Sequence, residues 1–280
     1  MIDIKGDANA DTRVHIIYMA ERSMVLLTYH ELELPGRPLC QPEAGYSRYV
    51  VSQENFRTQM GWLRQAGWRG LSVREALAFP PQNGSGQNSV AVTFDDGCES
   101  DLTTAAPILK EAGHNATFYI TVAFLGQRGY MNSTQLRELS AAGFEVGCHS
   151  MTHAYLTDLD DCGLQRELVQ AKAQLEQIVG KAVEHFSCPG GRCDARVIQI
   201  ARRTCYRSVA HSRIQVNPSA ADAFDLGRIA ILRKTELPAF QDICRGKGLW
   251  KLHLGERVRN AAKQVLGNSV YDRGRAFLLR

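Results

Sequence analysis

Long apolar runs are missing from this 280-residue chain. None approaches the roughly eighteen consecutive residues that a spanning helix needs, so a helical membrane protein is not expected. A secretory leader is not legible either. Met1–Arg13 is polar and acidic, and Val14–Ala20 is too short for a leader core and carries His15. These features predict a cytoplasmic protein. The eight cysteines are scattered singly with no C-x-x-C pair, so reduced thiols are expected rather than a disulfide framework. Internal repeats and low-complexity segments are also lacking. So is the basic–aromatic pattern of a nucleic-acid reader, and no nucleic-acid partner is expected.

What is present is the composition of an ordinary globular protein, 44% apolar and 22% charged. The length suffices for one α/β domain with a full core. The net charge of +4 hides an asymmetry, because nine of the 33 Lys/Arg but only two of the 29 Asp/Glu lie from Arg245 onward. The chain therefore divides into an N-terminal extension (1–23), a main domain (24–245) and a basic amphipathic tail (246–280). Arg257, Arg259, Lys263, Arg273 and Arg275 alternate there with Val258, Val265, Leu266, Tyr271, Phe277 and Leu278. That pattern would suit peripheral contact of 257–280 with an anionic membrane surface, or simply a solvated last helix.

Strands and helices alternate along the main domain. Met24–Thr28 reads as a buried strand, and Phe56, Met60 and Leu63 mark a helix face that Gly67 ends. Ser72 to Glu75 matches a capping box, and Pro80–Ser89 reads as a surface loop. Strands are predicted at Val90–Phe94, Ala116–Thr121, Phe144–Cys148, Val183–Ser187, Ser208–His211 and Arg228–Leu232. The helices between them include one near Leu102–Ala112, one that Asn132 and Gln135 can cap, and one carrying Leu164, Leu168, Ala171, Leu175 and Ile178 up to Gly180. About seven strands alternating with helices imply a parallel sheet covered by helices, open or closed into a barrel. His30, Asp95, Asp96, His149 and Pro189 all fall at C-terminal strand ends, where barrel enzymes place their sites.

The residue types at those ends suit a hydrolytic metal centre. In Thr93-Phe94-Asp95-Asp96-Gly97, adjacent side chains at a strand end point in different directions. One carboxylate can ligate a cation while the other faces a water. In His149-Ser150-Met151-Thr152-His153, the spacing brings two imidazoles to one ion. Either pattern alone is common in turns or on surfaces. Together, at equivalent positions of the strand–helix repeat, they favour a site for one divalent ion, Zn2+ first, with Co2+, Ni2+ or Fe2+ also accommodated. Pro189-Gly190-Gly191 could bring a backbone N–H close to a developing oxyanion.

With these residues in place, the chain resembles the polysaccharide deacetylase (NodB-homology) family of metal-dependent carbohydrate esterases, from about Met24 to Leu232. Residues 93–97 match the family's first motif, which implies Asp95 as base and Asp96 as metal ligand. Residues 149–153 match the second motif, which supplies both histidine ligands. Phe186-Ser187-Cys188-Pro189-Gly190-Gly191 resembles the third, which implies a groove wall with an oxyanion donor at Gly190. The resemblance implies a distorted (β/α)7 barrel that removes N- or O-acetyl groups from a glycan. Many members carry an arginine where Ser187 stands, to hold the base; Arg192 and Arg228 are the candidates to replace it. A late Leu-x-His acid motif is also missing. Leu27-Thr28-Tyr29-His30 resembles a branch that carries the acid histidine on an N-terminal strand, which implies His30 as general acid. A cytoplasmic address would favour a nucleotide- or lipid-linked sugar over a mature extracellular polymer. A deformylase or amidase acting on a small amide, and a catalytically silent carbohydrate-binding protein, are the competing readings.

Overall fold

Residues 23–41, 45–78 and 88–250 are described in the computed structural model of the chain. The N-terminal extension up to residue 22, most of the Pro80–Ser89 loop, and the tail from 251 with its expected membrane contact lie outside the described residues.

One parallel sheet organises the main domain. Its strands are β1 (Leu26–Tyr29), β2 (Arg69–Leu71), β3 (Ser89–Phe94), β4 (Thr117–Ile120), β5 (Glu145–Cys148), β6 (His185–Ser187), β7 (Ser208–His211), β8 (Leu226–Gly227) and β9 (Ile229–Ala230). They run in the order β8–β7–β6–β5–β4–β3–β1–β9, with β2 against the first half of β3. Only Arg228 separates β8 from β9. Ala210 and His211 of β7 pair with Leu226 and Gly227, while Leu27 and Thr28 of β1 pair with Ile229 and Ala230. The stretch 226–230 thus joins both ends of the sheet, and the fold is a distorted (β/α) barrel with its closing seam at Arg228.

Period-two alternation decides what faces outward and what fills the barrel. Val90, Val92 and Phe94 of β3 join the main apolar cluster under the helices, as do Leu27, Tyr29, Phe118, Val146 and Phe186. Phe94 stacks on Tyr29 and Phe118 at centroid distances of 5.2 and 4.9 Å, and burying each such ring contributes about 1.5–3 kcal/mol. The alternate residues Ala91, Tyr119 and Ala210 belong to a second cluster with Leu26 and Leu226. Small residues dominate this inner series because Tyr119 and Arg228 already occupy the space. A Cβ on Gly147 would lie 2.4 Å from the Tyr119 ring. Continuing the inward register one step past each strand brings Asp95, His149 and His30 to the barrel mouth.

The covering helices are α1 (Gln53–Gln65), α2 (Val73–Ala78), α3 (Ala106–Ala112), α4 (Ser133–Ala141), α5 (Asp161–Gln165), α6 (Ala171–Val179), α7 (Ala195–Arg203) and α8 (Leu237–Cys244). Both expected capping boxes are formed. Ser72 Oγ accepts from Glu75 N while Glu75 accepts from Ser72 N (3.2 and 2.8 Å), and Asn132 and Gln135 do the same at α4. The long helix expected up to Gly180 is not uniform. A π-helical segment, Arg166–Gln170, joins α5 to α6, and another, Asp101–Ala105, leads into α3. Such single-turn departures cluster at functional sites, and the first buries Glu167 beside Leu168. All eight cysteines are unpaired. Among the described residues no helix is long and apolar enough to cross a membrane.

Candidate active site

Asp95 and Asp96 follow β3, where Asp95 N–H still bonds Tyr29 O (3.0 Å). Asp96 then adopts a left-handed φ of 82°, so its carboxylate diverges from that of Asp95. Ser150 and His153 are also left-handed, at 70° and 65°. Backbone strain of this kind, worth about 1–3 kcal/mol per residue, concentrates where a site requires it. The same turns bring three ligand atoms together. Asp96 Oδ1 lies 3.6 Å from His149 Nε2 and 3.3 Å from His153 Nε2. This oxygen is buried and has no hydrogen-bond partner. His149 Nδ1 lies 2.9 Å from Ser187 O, which places the ring proton on Nδ1 and leaves the Nε2 lone pair for an ion. Asp96, His149 and His153 can therefore share one metal ion.

The surroundings act oppositely on the two imidazoles. Burial disfavours charge on His149 and brings its pKa down to about 4, so the ring is neutral at pH 7. For His153, burial is outweighed by the adjacent Asp96 carboxylate, which raises its pKa. Burial would also raise Asp96, but the close approach of His153 and the charges of His149 and His30 bring it below the ordinary carboxylate value.

The loop bearing these histidines is anchored by a residue that sequence reasoning missed. Glu167 accepts from Met151 N, Thr152 N and Thr152 Oγ1 at 2.9, 2.8 and 2.7 Å. It stands three residues after Leu164 and four before Ala171, so a charge on an apolar stripe was the available signal. Ser150 Oγ adds a bond from His153 N (3.0 Å).

Asp95 has a different environment. Arg228 Nη1 and Nη2 donate to its Oδ1 and Oδ2 at 2.8 and 2.7 Å, and Nη2 also donates to Ser187 Oγ (2.7 Å). Burial alone would raise the Asp95 pKa, but the Arg228 guanidinium more than offsets it, and the carboxyl is held well below its usual range. The two candidate supports thus separate. Arg228, between β8 and β9, reaches Asp95. Arg192 does not: it sits 4.0 Å over the Tyr155 ring and pairs with Asp158 at 3.4 Å. The left-handed turns at Gly190 and Gly191 carry the chain away from Asp95 before residue 192 is reached.

Gly190 and Gly191 must be glycine. Their φ values are 60° and 68°, and an added Cβ would stand 2.5 Å from Tyr155 Cε1 or 2.0 Å from Ser212 Oγ. Pro189 is buried beneath them. The metal-site residues, Asp95, Gly190 and Gly191 line one cavity of about 410 Å3, together with His30, Arg228 and the side chains of Tyr46 and Tyr49. His30 Nδ1 is buried without a partner. Burial lowers the His30 pKa against the raising effect of Asp96 and Asp95.

Comparison with known proteins agrees with this arrangement. A family model described as polysaccharide deacetylase matches residues 82–209. Over that stretch the chain is similar to the polysaccharide deacetylase family. It is 26% identical over 224 residues to YxkH of Bacillus subtilis, a protein described provisionally as a polysaccharide deacetylase, covering 80% of this chain and 75% of the relative. It is 31% identical to a poly-β-1,6-N-acetyl-D-glucosamine N-deacetylase of Staphylococcus aureus, over 37% of this chain and 38% of the relative. Among solved structures, IcaB from Ammonifex degensii superposes with a TM-score of 0.66 at 25% identity, covering 80% of this chain and 97% of that one. The Streptococcus pyogenes deacetylase PplD shares the fold at TM-score 0.69 and 21% identity, covering 79% and 98%.

Proposed function

We propose that this protein hydrolyses the N-acetyl group of a sugar residue, with one zinc ion held by Asp96, His149 and His153. The observation that carries this reading is the buried, unpartnered Asp96 Oδ1 facing two imidazole Nε2 atoms, beside a second carboxylate that an arginine keeps ionised. Such an ion, when bound, polarises an amide carbonyl and acidifies water. The chain's own residues divide the remaining work. Asp95 takes the proton of the attacking water, and Arg228 and Ser187 fix its orientation. Gly190 donates its N–H to the developing oxyanion; the neighbouring Gly191 N–H is already committed to Cys188 O at 2.8 Å. Losing one such donor typically costs about 3–4 kcal/mol in the transition state. His30 protonates the departing amine as an imidazolium and is left as neutral imidazole; the Asp96 and Asp95 carboxylates favour that charged form against the burial that lowers its pKa. Acetate and a free amino sugar result.

The cavity of about 410 Å3 falls in the roughly 300–1,000 Å3 range of small-ligand sites. It suits a short nucleotide- or lipid-linked sugar, and contact of 257–280 with an anionic membrane would place the enzyme near a lipid-linked one. A panel of acetylated oligosaccharides, nucleotide sugars and lipid-linked sugars tests the proposal. Chelator-sensitive acetate release is expected. Release of formate instead, or glycan binding without any release, would replace it with one of the competing readings.

A further inference from the structure

We infer that Glu31, Cys40 and Cys98 form a second metal site, for a soft divalent ion such as zinc, separate from the Asp96–His149–His153 centre. One carboxylate oxygen of Glu31 and the two sulfurs all lie within 4.8 Å of one another. Around a tetrahedral zinc, with Zn–S of about 2.3 Å and Zn–O of about 2.0–2.2 Å, such atoms stand roughly 3.6–3.8 Å apart. Shifts of about an ångström would therefore close the set on an ion. Two thiols and a carboxylate are a donor set that selects zinc over harder cations.

The surroundings call for a cation. Glu31 and Cys98 are buried, and Asp101, fully buried, has neither carboxylate oxygen hydrogen-bonded. Cys40, Asp96 and Glu31 are the groups whose charge bears most on Asp101. Among the described residues, neither Glu31 nor Asp101 forms an ion pair with a basic side chain; the nearby Arg37 is paired with Glu99. Buried acids without a counter-charge are costly, and an ion here would supply one. The second sphere is already built. Cys40 N donates to Glu31 Oε2 (3.0 Å), and Tyr46 OH lies 3.6 Å from Cys98 Sγ. The Cys40 thiol donates to Gly129 O (2.9 Å); binding would release that proton and the one on Cys98 as both sulfurs become thiolates.

The three ligands have telling neighbours. Glu31 follows His30, Cys98 follows Asp96-Gly97, and Cys40 precedes Gln41, which lines the cavity along with Tyr46. An ion here would tie the loop after β1 to the catalytic turn, fixing a cavity wall against the proposed base and acid. This inference stands independently of the deacetylase reading.

Titration of reduced, metal-free protein with Co2+ tests it, because only a thiolate site gives sulfur-to-cobalt charge-transfer absorption in the near ultraviolet. The Asp96–His149–His153 set has no sulfur. The expected band persists in Asp96→Asn, where the other centre is disabled and the band saturates with a single equivalent. It also persists in Cys188→Ser and Cys193→Ser, whose thiols contact each other elsewhere. It vanishes in Cys40→Ser and Cys98→Ser, with circular dichroism reporting that each is folded. Glu31→Gln, which keeps both sulfurs, weakens Co2+ affinity about tenfold or more. No band in the parent protein, or a band that survives Cys40→Ser, overturns the site. So does a Cys40–Cys98 disulfide found by thiol alkylation and mass spectrometry of protein purified without reductant, since that would mark a redox clasp instead.

Discussion

Replacing Arg228 with glutamine removes the guanidinium that compensates Asp95. Both side chains are buried, at 4% and 5% exposure, and their contact is bidentate. Breaking such a pair from one side leaves an uncompensated buried charge, at a cost of about 3–5 kcal/mol. For a domain of this size each kcal/mol is worth roughly 2–4 °C in Tm, so metal-free Arg228→Gln should melt about 6–20 °C lower at pH 7. The sign of the pH dependence follows from the direction of the shift. Asp95 has a folded-state pKa below its unfolded value, so its contribution is fully present above the unfolded pKa and is lost as pH falls through the folded one. In Arg228→Gln, burial becomes the controlling influence and raises the Asp95 pKa. The destabilisation should therefore shrink as pH falls below the variant's raised pKa, where a neutral carboxyl no longer needs a partner. The acid limb of kcat/KM should move to higher pH, because the proposed base must be ionised. Profiles of acetate release against pH, for both proteins loaded with zinc, measure this directly. Superimposable acid limbs would show that Arg228 does not govern the base, whatever happens to the melting temperature.

Other residues give independent tests. Glu167→Gln places an amide opposite three donors and should weaken zinc binding about 10–100-fold, read by competition with a chromophoric chelator; unchanged affinity would show that the loop holds its shape without that carboxylate. Gly190→Ala forces a left-handed alanine, costing about 1–2 kcal/mol, and drives Cβ into Tyr155. Its kcat should fall sharply, and adding Tyr155→Ala should relieve the clash but not the backbone cost. Full recovery in the double variant would contradict the need for a left-handed backbone there. His30→Gln should lower kcat about 10²–10⁴-fold while zinc affinity stays the same; a matching loss of affinity would make His30 a ligand and not the acid.

How far the sequence reveals this architecture depends on how local each feature is. The strand ends that carry Asp95, His149 and His30 are legible because each lies within one short run, where alternation alone sets its direction. The pairing of Asp96 with His149 and His153 is also foreseeable, since the parallel strands of one sheet bring equivalent ends together, here across the intervening β4. The choice between Arg192 and Arg228 is not. It depends on the seam, where Leu226–Gly227 pairs with one strand and Ile229–Ala230 with another, and no local pattern announces that closure. The π-helical segment at Arg166–Gln170 is hidden for a related reason, as an inserted residue leaves the apolar spacing on either side intact. Glu167 was readable in principle, as a charge on an apolar face. The Glu31–Cys40–Cys98 group could not be read, because its members come from three separate stretches with no shared motif.

The most direct test of the central claim is acetate release from an N-acetylated oligosaccharide by chelator-treated protein before and after zinc is restored, in the parent chain and in His153→Ala. The account predicts no release without metal, recovery on adding zinc to the parent, and little or no recovery in the variant. Release that continues undiminished in the metal-free protein, or that zinc restores equally in His153→Ala, would contradict it.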